Sequence, residues 1–241
     1  MYVRDLMIEV TRRCQFQCSH CLRGKAQNKT IDIKHIHSLI DQVSSIGTIT
    51  FTGGEPSLNV KAIKETLIRC RQNNVDVGSF YIATNGAKIT EEFVVACLQW
   101  YNYCIEKDSC SVNVSNDQFH AGEGMYDTEL LDGLTFFSRK HSHESYYYEP
   151  IIEGLAEEHG YGGDRKVCIP EIELDDWGIS EGEMYLNCNG YIINGCNWSY
   201  KSQNKNKLCH VDKFGKWFED QLPTECDDDV PEEYQLDLSC A

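Results

Sequence analysis

Apolar and polar residues alternate at the start of the chain, with Leu6, Ile8 and Val10 on one side of an expected strand over Leu6–Val10. Ile36, Leu39, Ile40 and Val43 then recur at helical spacing and predict a helix over Ile33–Ile46. The β-branched run Thr48–Thr52 predicts a short strand that stops at Gly53-Gly54. Ile63, Leu67 and Ile68 stripe a helix over Val60–Gln72, and Phe80–Thr84 reads as a third strand closed by the turn signal Asn85-Gly86. A helix over Glu91–Tyr103, a strand over Ser111–Ser115, a helix over Asp127–Ser138 and a fifth strand over Tyr146–Ile152 complete the series. The run Tyr146-Tyr147-Tyr148 fits a half-buried strand with one exposed face.

Strand followed by helix at this spacing implies βα units and a parallel sheet. About five or six such units fit before residue 165, too few to close a barrel of eight. The expected fold is therefore α/β: a partial (β/α)5–6 TIM-like barrel of parallel strands with a small cysteine-containing C-terminal extension. The core is expected over residues 1–165. Residues 166–241 are expected to form the extension, an appended small unit with a possible auxiliary metal site. Within it, Met184–Leu186 and Tyr191–Ile193 flank the hairpin signal Asn189-Gly190, Val211–Asp220 reads as a last helix, and the tail from Thr224 is acidic. Ligands of such sheets sit at the carboxyl ends of the strands. The cysteines after strand one, Gly53-Gly54-Glu55-Pro56 after strand two, Thr84-Asn85-Gly86 after strand three, and Ser115 and Asp117 after strand four would all meet on that rim.

Composition narrows the function classes. The chain has 241 residues, 41% hydrophobic and 25% charged, an ordinary globular balance. Its formal charge of −16 argues against a nucleic-acid surface, which needs Lys and Arg for phosphate contacts. No apolar run is long enough for a transmembrane helix, and the N-terminus, with Arg4, Asp5 and Glu9, lacks the apolar stretch of a signal peptide. A cytoplasmic location is expected, with neither membrane nor nucleic acid as partner. In a reducing compartment the 13 cysteines, an odd number, are thiols or metal ligands rather than disulfides.

The densest chemistry is Cys14-Gln15-Phe16-Gln17-Cys18-Ser19-His20-Cys21, a Cys-x3-Cys-x2-Cys pattern on a loop that leaves a strand. Thiolates favour zinc or iron–sulfur clusters. A structural zinc ion wants four ligands, whereas three cysteines on a four-iron cluster leave one iron open. The triplet alone leaves both open. Gly53 and Gly54 would let the backbone approach a ligand closely, and Pro56 would set the turn into the next helix.

These two motifs, in this order and at this spacing, resemble the radical S-adenosylmethionine (radical SAM) superfamily over most of residues 6–154. The resemblance implies a [4Fe–4S] cluster on Cys14, Cys18 and Cys21. It also implies S-adenosylmethionine (SAM) chelating the open iron and a 5′-deoxyadenosyl radical that abstracts hydrogen from substrate. Cofactor contacts implied are His20 near the adenine, Gly53, Gly54, Glu55 and Pro56 at the methionine amine, Thr84 and Asn85 along the third strand end, and Ser115 and Asp117 at the fourth. Ser115-Asn116-Asp117-Gln118-Phe119-His120 resembles a recurring fourth-strand ending, with His120 towards substrate. Glu153-Gly154 and Leu155-Ala156 loosely resemble a fifth-strand region near the adenine. Phe16 would cover the cluster.

Cys168, Cys188, Cys196 and Cys209 resemble parts of the SPASM or twitch extension and are candidate ligands of a second iron–sulfur cluster, although the full signature is missing. Their other readings are zinc with His210, a thiol that donates hydrogen to a substrate radical, or inert burial. Cys209 also reads as a substituted loop residue. Cys70, Cys97, Cys104 and Cys110 read as core. The expected reaction is hydrogen abstraction from a peptide or small organic substrate, with flavodoxin or ferredoxin as electron donor. Rival readings are a 7-deazaguanine-type or other small-metabolite synthase, a glycyl-radical activating enzyme, a partner-binding scaffold with a degenerate cluster, and a non-catalytic zinc-binding module. Leu22-Arg23 after the third cysteine departs from the Asp-Thr of the 7-carboxy-7-deazaguanine synthases.

Overall fold

A computed structural model describes residues 1–116, 119–120, 129–141, 150–161, 167 and 172–222. Strand β1 (Tyr2–Thr11) leads through a long loop to helix α1 (Ile33–Ile40), then β2 (Ser45–Gly53), α2 (Val60–Asn73), β3 (Asp76–Thr84), α3 (Glu91–Tyr103), β4 (Ser111–Asn116) and β5 (Phe137–His141). After the short helix α4 (Gly154–Glu158) come β6 (Glu173–Asp175), β7 (Gly178–Leu186), β8 (Tyr191–Asn194), β9 (Lys207–His210) and α5 (Phe214–Gln221).

Among the described residues, nine strands join one sheet in the order β5-β4-β3-β2-β1-β7-β8-β9, with β6 paired to β7. Strands β1 to β5 are parallel to their neighbours, and β7 lies parallel to β1 on its other side. Strands β8 and β9 then run antiparallel. Among the described residues the sheet does not close, so the architecture is a partial barrel whose C-terminal strands extend the β1 edge.

Local chemistry sets the helix limits. Asp32 caps α1 by accepting from the Lys34 N–H at 3.0 Å, and Thr90 caps α3 by accepting from the Phe93 N–H at 3.2 Å. Asn74 ends α2 in the left-handed region at φ 53°. The buried faces are Ile36, Leu39 and Ile40 on α1, Ile63 and Leu67 on α2, and Phe93 and Trp100 on α3. The Trp100 indole donates to the Ile63 carbonyl at 3.1 Å and ties α3 to α2. Cys70, Cys97, Cys104 and Cys110 are buried in this core.

Three expectations change. The helix expected over Ile33–Ile46 ends at Ile40. Val43 is buried from a turn, and Ser45 already pairs with Tyr2, so the apolar repeat outlasts the helix. Of the helix expected over Asp127–Ser138, residues 127–128 lie outside the described residues, and the rest holds a single 3-10 turn at Glu129–Leu131. Gly133 follows at φ +92°, and from Phe137 the chain pairs with β4. That makes Phe137–His141 the fifth strand among the described residues. Of the strand expected over Tyr146–Ile152, residues 146–149 lie outside the described residues and Ile151 and Ile152 are not in a strand.

Candidate functional site

The cysteine loop starts where β1 ends and folds back along it. Thr11 bridges Thr30, the Arg12 N–H donates to the Lys29 carbonyl at 2.8 Å, and the Ile31 N–H donates to the Val10 carbonyl at 3.1 Å. Two turns shape the tip: the Cys21 N–H donates to the Cys18 carbonyl and the Gly24 N–H to the Cys21 carbonyl, each at 3.1 Å. Cys14, Cys18 and Cys21 are free thiols, with Cys18 buried and the other two half-buried. All three line one cavity of about 480 Å³, whose walls also include Phe16, Gly54, Leu155 and Tyr200. Among the described residues no group of three His, Cys, Asp or Glu converges on a single ion. Three thiols around a shared cavity suit a multi-iron cluster in which each sulfur meets a different metal atom. The donor set fits a [4Fe–4S] cluster.

The end of β2 packs directly on the root of this loop. The Gly54 N–H donates to the Thr11 carbonyl and the Glu55 N–H to the Arg13 carbonyl, both at 2.8 Å. A Cβ on Gly53, at φ +147°, would lie 2.0 Å from the Thr11 carbonyl oxygen, and one on Gly54 would lie 2.3 Å from that of Arg13. The chain's own backbone therefore requires both glycines here, whatever ligand follows. The Glu55 side chain is buried at 1% exposure and turned inward. It accepts from the Thr84 hydroxyl at 2.6 Å, the Asn85 N–H at 2.8 Å and the Ser57 N–H at 3.0 Å. Burial raises its pKa, against the pull of those three donors. Pro56 opens the 3-10 turn Pro56–Asn59 that Glu55 caps. Glu55 and Thr84 thus bond to each other and lock the second strand end to the third. The Asn85 side chain points its amide nitrogen at Cys14 Sγ, 3.6 Å away.

Aromatic rings cover the other side of the loop. His20 stacks on Phe119 with ring centres 4.2 Å apart and meets His120 edge-on at 5.2 Å. His120 also approaches Phe16 at 6.3 Å, and Phe119 meets Tyr161 at 5.4 Å. Ser115 lies in β4 next to its end, whereas Asp117 is outside the described residues. Glu153 and Gly154 lead into α4, whose Leu155 N–H donates to the Cys21 carbonyl at 2.9 Å. The His159 ring donates from Nδ1 to the Ser19 carbonyl at 2.8 Å.

A buried polar network under the loop has no counterpart in the sequence-based expectations. Glu9 is fully buried in β1. It accepts from Arg12 Nε at 2.6 Å, the Tyr185 hydroxyl at 2.8 Å, Gln203 Nε2 at 2.9 Å and the Cys188 N–H at 3.0 Å. Burial opposes its charge, but the Arg12 guanidinium prevails and holds the carboxyl below its usual range. The Arg12 guanidinium lies over the Tyr200 ring at 4.4 Å and that of Arg23 over the Tyr185 ring at 4.8 Å. Arg23 also donates to the Trp198 carbonyl at 2.7 Å. The arginines just before and just after the cysteine triplet thus clamp the loop onto β7 and the segment after β8. The available signal was Glu9 between Ile8 and Val10 with Arg12 three residues on. Alternation assigns Glu9 to solvent, but Tyr185, Gln203 and Arg12 close over its carboxylate.

Among the described residues, the later cysteines Cys188, Cys196 and Cys209 form no metal-binding group. The Cys188 thiol donates to the Glu9 carbonyl at 3.1 Å, that of Cys196 donates to Asn197 Oδ1 at 3.5 Å, and Cys209 sits within β9 opposite Ile192. Cys209 is therefore a strand residue, not a loop residue. Burial pushes the Cys196 thiol up to about 12 and that of Cys209 to about 11, and it raises the Cys14 thiol as well. Cys168 lies outside the described residues.

Residues 8–99 match the family model of the Radical SAM superfamily. An uncharacterized protein of Methanocaldococcus jannaschii is 33% identical over 94 residues, covering 37% of this chain and 33% of that protein. A GTP 3',8-cyclase of Tolumonas auensis is 28% identical over 144 residues, covering 54% of this chain and 39% of that enzyme. The chain thus spans well under half the length of these curated relatives. Among solved structures, anSMEcpe with bound AdoMet and Cp18Cys peptide superposes with a TM-score of 0.55 at 10% identity, covering 92% of this chain and 81% of that one. At that identity the likeness establishes a shared fold.

Proposed function

This chain belongs to the radical SAM superfamily, and on that premise we propose that it is a radical enzyme acting on a peptide or small organic substrate. The bound [4Fe–4S] cluster would supply one electron to SAM, releasing methionine and a 5′-deoxyadenosyl radical that takes a hydrogen atom from the substrate. Cys14, Cys18 and Cys21 would hold three irons and leave the fourth for the SAM amine and carboxylate. The observation that carries this reading is the convergence of all three thiols and Gly54 on one cavity.

Each remaining residue has a role within that reading. The Gly53–Gly54 backbone borders the place for the methionine moiety. Glu55 and Pro56 shape that wall, Glu55 by fixing Thr84 and Asn85. His20, with Phe119 and His120 around it, would pack the adenine side and keep water from the radical. Ser115 and Asp117 would contact SAM from the fourth strand end. An electron donor such as flavodoxin or ferredoxin would reduce the cluster. The nucleotide-cyclase relatives and the peptide-bound structural neighbour both suit a substrate held above the cavity, and the class stays at peptide or small organic molecule.

Anaerobic purification followed by iron and sulfide counts tests the cluster. A brown protein with about four irons per chain is expected, and incubation with reductant and SAM should release 5′-deoxyadenosine. A colourless, iron-free, zinc-loaded protein would sink the proposal in favour of a zinc module. An iron-loaded protein that yields no 5′-deoxyadenosine would indicate a scaffold with an inactive cluster.

A further inference from the structure

We propose that Asn85 is a positioning residue that tunes the cluster through Cys14, donating an N–H···S hydrogen bond that makes the bound cluster easier to reduce. The inference rests on the cluster reading above and gives this strand end a task distinct from lining the SAM site. Its basis is the orientation of one side-chain amide. Asn85 Oδ1 accepts from the Ala87 backbone N–H at 3.0 Å and from Gln15 Nε2 at 3.0 Å. A backbone N–H can only donate, so the atom facing it must be the amide oxygen. The amide nitrogen is thereby directed to Cys14 Sγ at 3.6 Å. Flipping the amide would set its NH2 group against the Ala87 N–H.

The backbone is fixed as firmly as the side chain. The Asn85 N–H donates to Glu55 Oε2 at 2.8 Å, and the Gly86 N–H donates to the Thr84 hydroxyl at 3.1 Å. Asn85 is 7% exposed, so little water competes for its amide protons. Gln15, next to Cys14 in the loop, is one of the two donors that orient the amide, so loop and strand end hold each other in register.

The electrostatic consequence follows from where the added electron resides. Reduction of an iron–sulfur cluster increases negative charge on its sulfurs, including the cysteine ligands. A buried N–H aimed at one of those sulfurs therefore stabilises the reduced state more than the oxidised one. Removing it should lower the reduction potential without removing a ligand.

The test is an EPR-monitored redox titration of the reconstituted full chain without SAM, with iron counted in the same samples. Asn85→Leu and Asn85→Ala should keep full iron and show a midpoint potential below that of the unsubstituted protein. Gln15→Leu should shift it the same way by less, because Ala87 still orients the amide. Unchanged potentials in both Asn85 variants at full iron would overturn the inference. If those variants lose the cluster, pulsed EPR on unsubstituted protein labelled with 15N in asparagine side chains decides. A coupling from an amide nitrogen to the reduced cluster supports the bond, and its absence removes it. Failure of the unsubstituted chain to bind iron would bring down the cluster reading itself. That result is distinct from an iron-loaded protein whose potential ignores residue 85.

Discussion

Cys14, Cys18 and Cys21 face a common cavity from a single loop, while Cys188, Cys196 and Cys209 look into three different surroundings. Both sets invite a metal on composition alone. The difference lies in the backbone that carries them. A loop built from successive tight turns brings side chains around one space. Strands and their connections send successive side chains to opposite faces of the sheet. Cys188 spends its thiol on the carbonyl of Glu9, that of Cys196 faces Asn197 Oδ1, and Cys209 sits in β9 opposite Ile192. Cysteine count therefore says less about a metal site than the local structure between the cysteines.

The sharpest way to break this contrast is substitution within each set. Cys18→Ala should abolish iron binding and 5′-deoxyadenosine release together, while Cys188→Ala should leave iron content at the level of the unsubstituted chain. Iron lost from both variants alike, by elemental analysis, would erase the distinction. The triple variant of Cys14, Cys18 and Cys21 should then retain essentially no iron. About four irons per chain remaining would reveal a second cluster.

The two regions are joined by the network around Glu9, and Arg12→Met probes that joint. It strands a fully buried carboxylate among neutral donors, for which a loss of about 3–5 kcal/mol in chemical denaturation is expected. A loss below about 1 kcal/mol would show that Arg12 is solvated and the clamp is slack. Glu55→Ala should come next, at about 2–3 kcal/mol, because the Thr84 hydroxyl and the Asn85 and Ser57 N–H groups lose their acceptor. Its iron content should hold while SAM affinity, by equilibrium titration, falls. Iron falling as far as in Cys18→Ala would make Glu55 a purely structural part of the cysteine cradle. The smallest effect is expected for Cys209→Ala, within about 1 kcal/mol and with iron unchanged.

The first half of the fold was readable because its information is local. The apolar stripe of α2 and the β-branched run of β2 each predict their element without reference to distant residues. The expectation failed where pairing partners decide. Val43 continues a helical repeat, yet β2 begins at Ser45 because Tyr2 is there to receive it. Phe137–His141 becomes a strand because β4 offers an edge. Gly178–Leu186 lying parallel to β1 is a contact across more than half the chain, which no short-range pattern encodes. The burial of Glu9 likewise depends on distant side chains, Tyr185 and Gln203. At the site, the motifs named the cysteines and the glycine-rich strand end. They could not show that the Glu55 carboxylate faces Thr84 and Asn85, because side-chain direction at a strand end depends on what the next strand presents.

The pressure of Thr11 and Arg13 on Gly53 and Gly54 reaches beyond this chain. Any homologue that keeps this crossing of two strand tips must keep small residues there, even after losing its metal and its chemistry. Such a dipeptide records how the polypeptide is braided, and a sequence could carry it long after catalysis had gone.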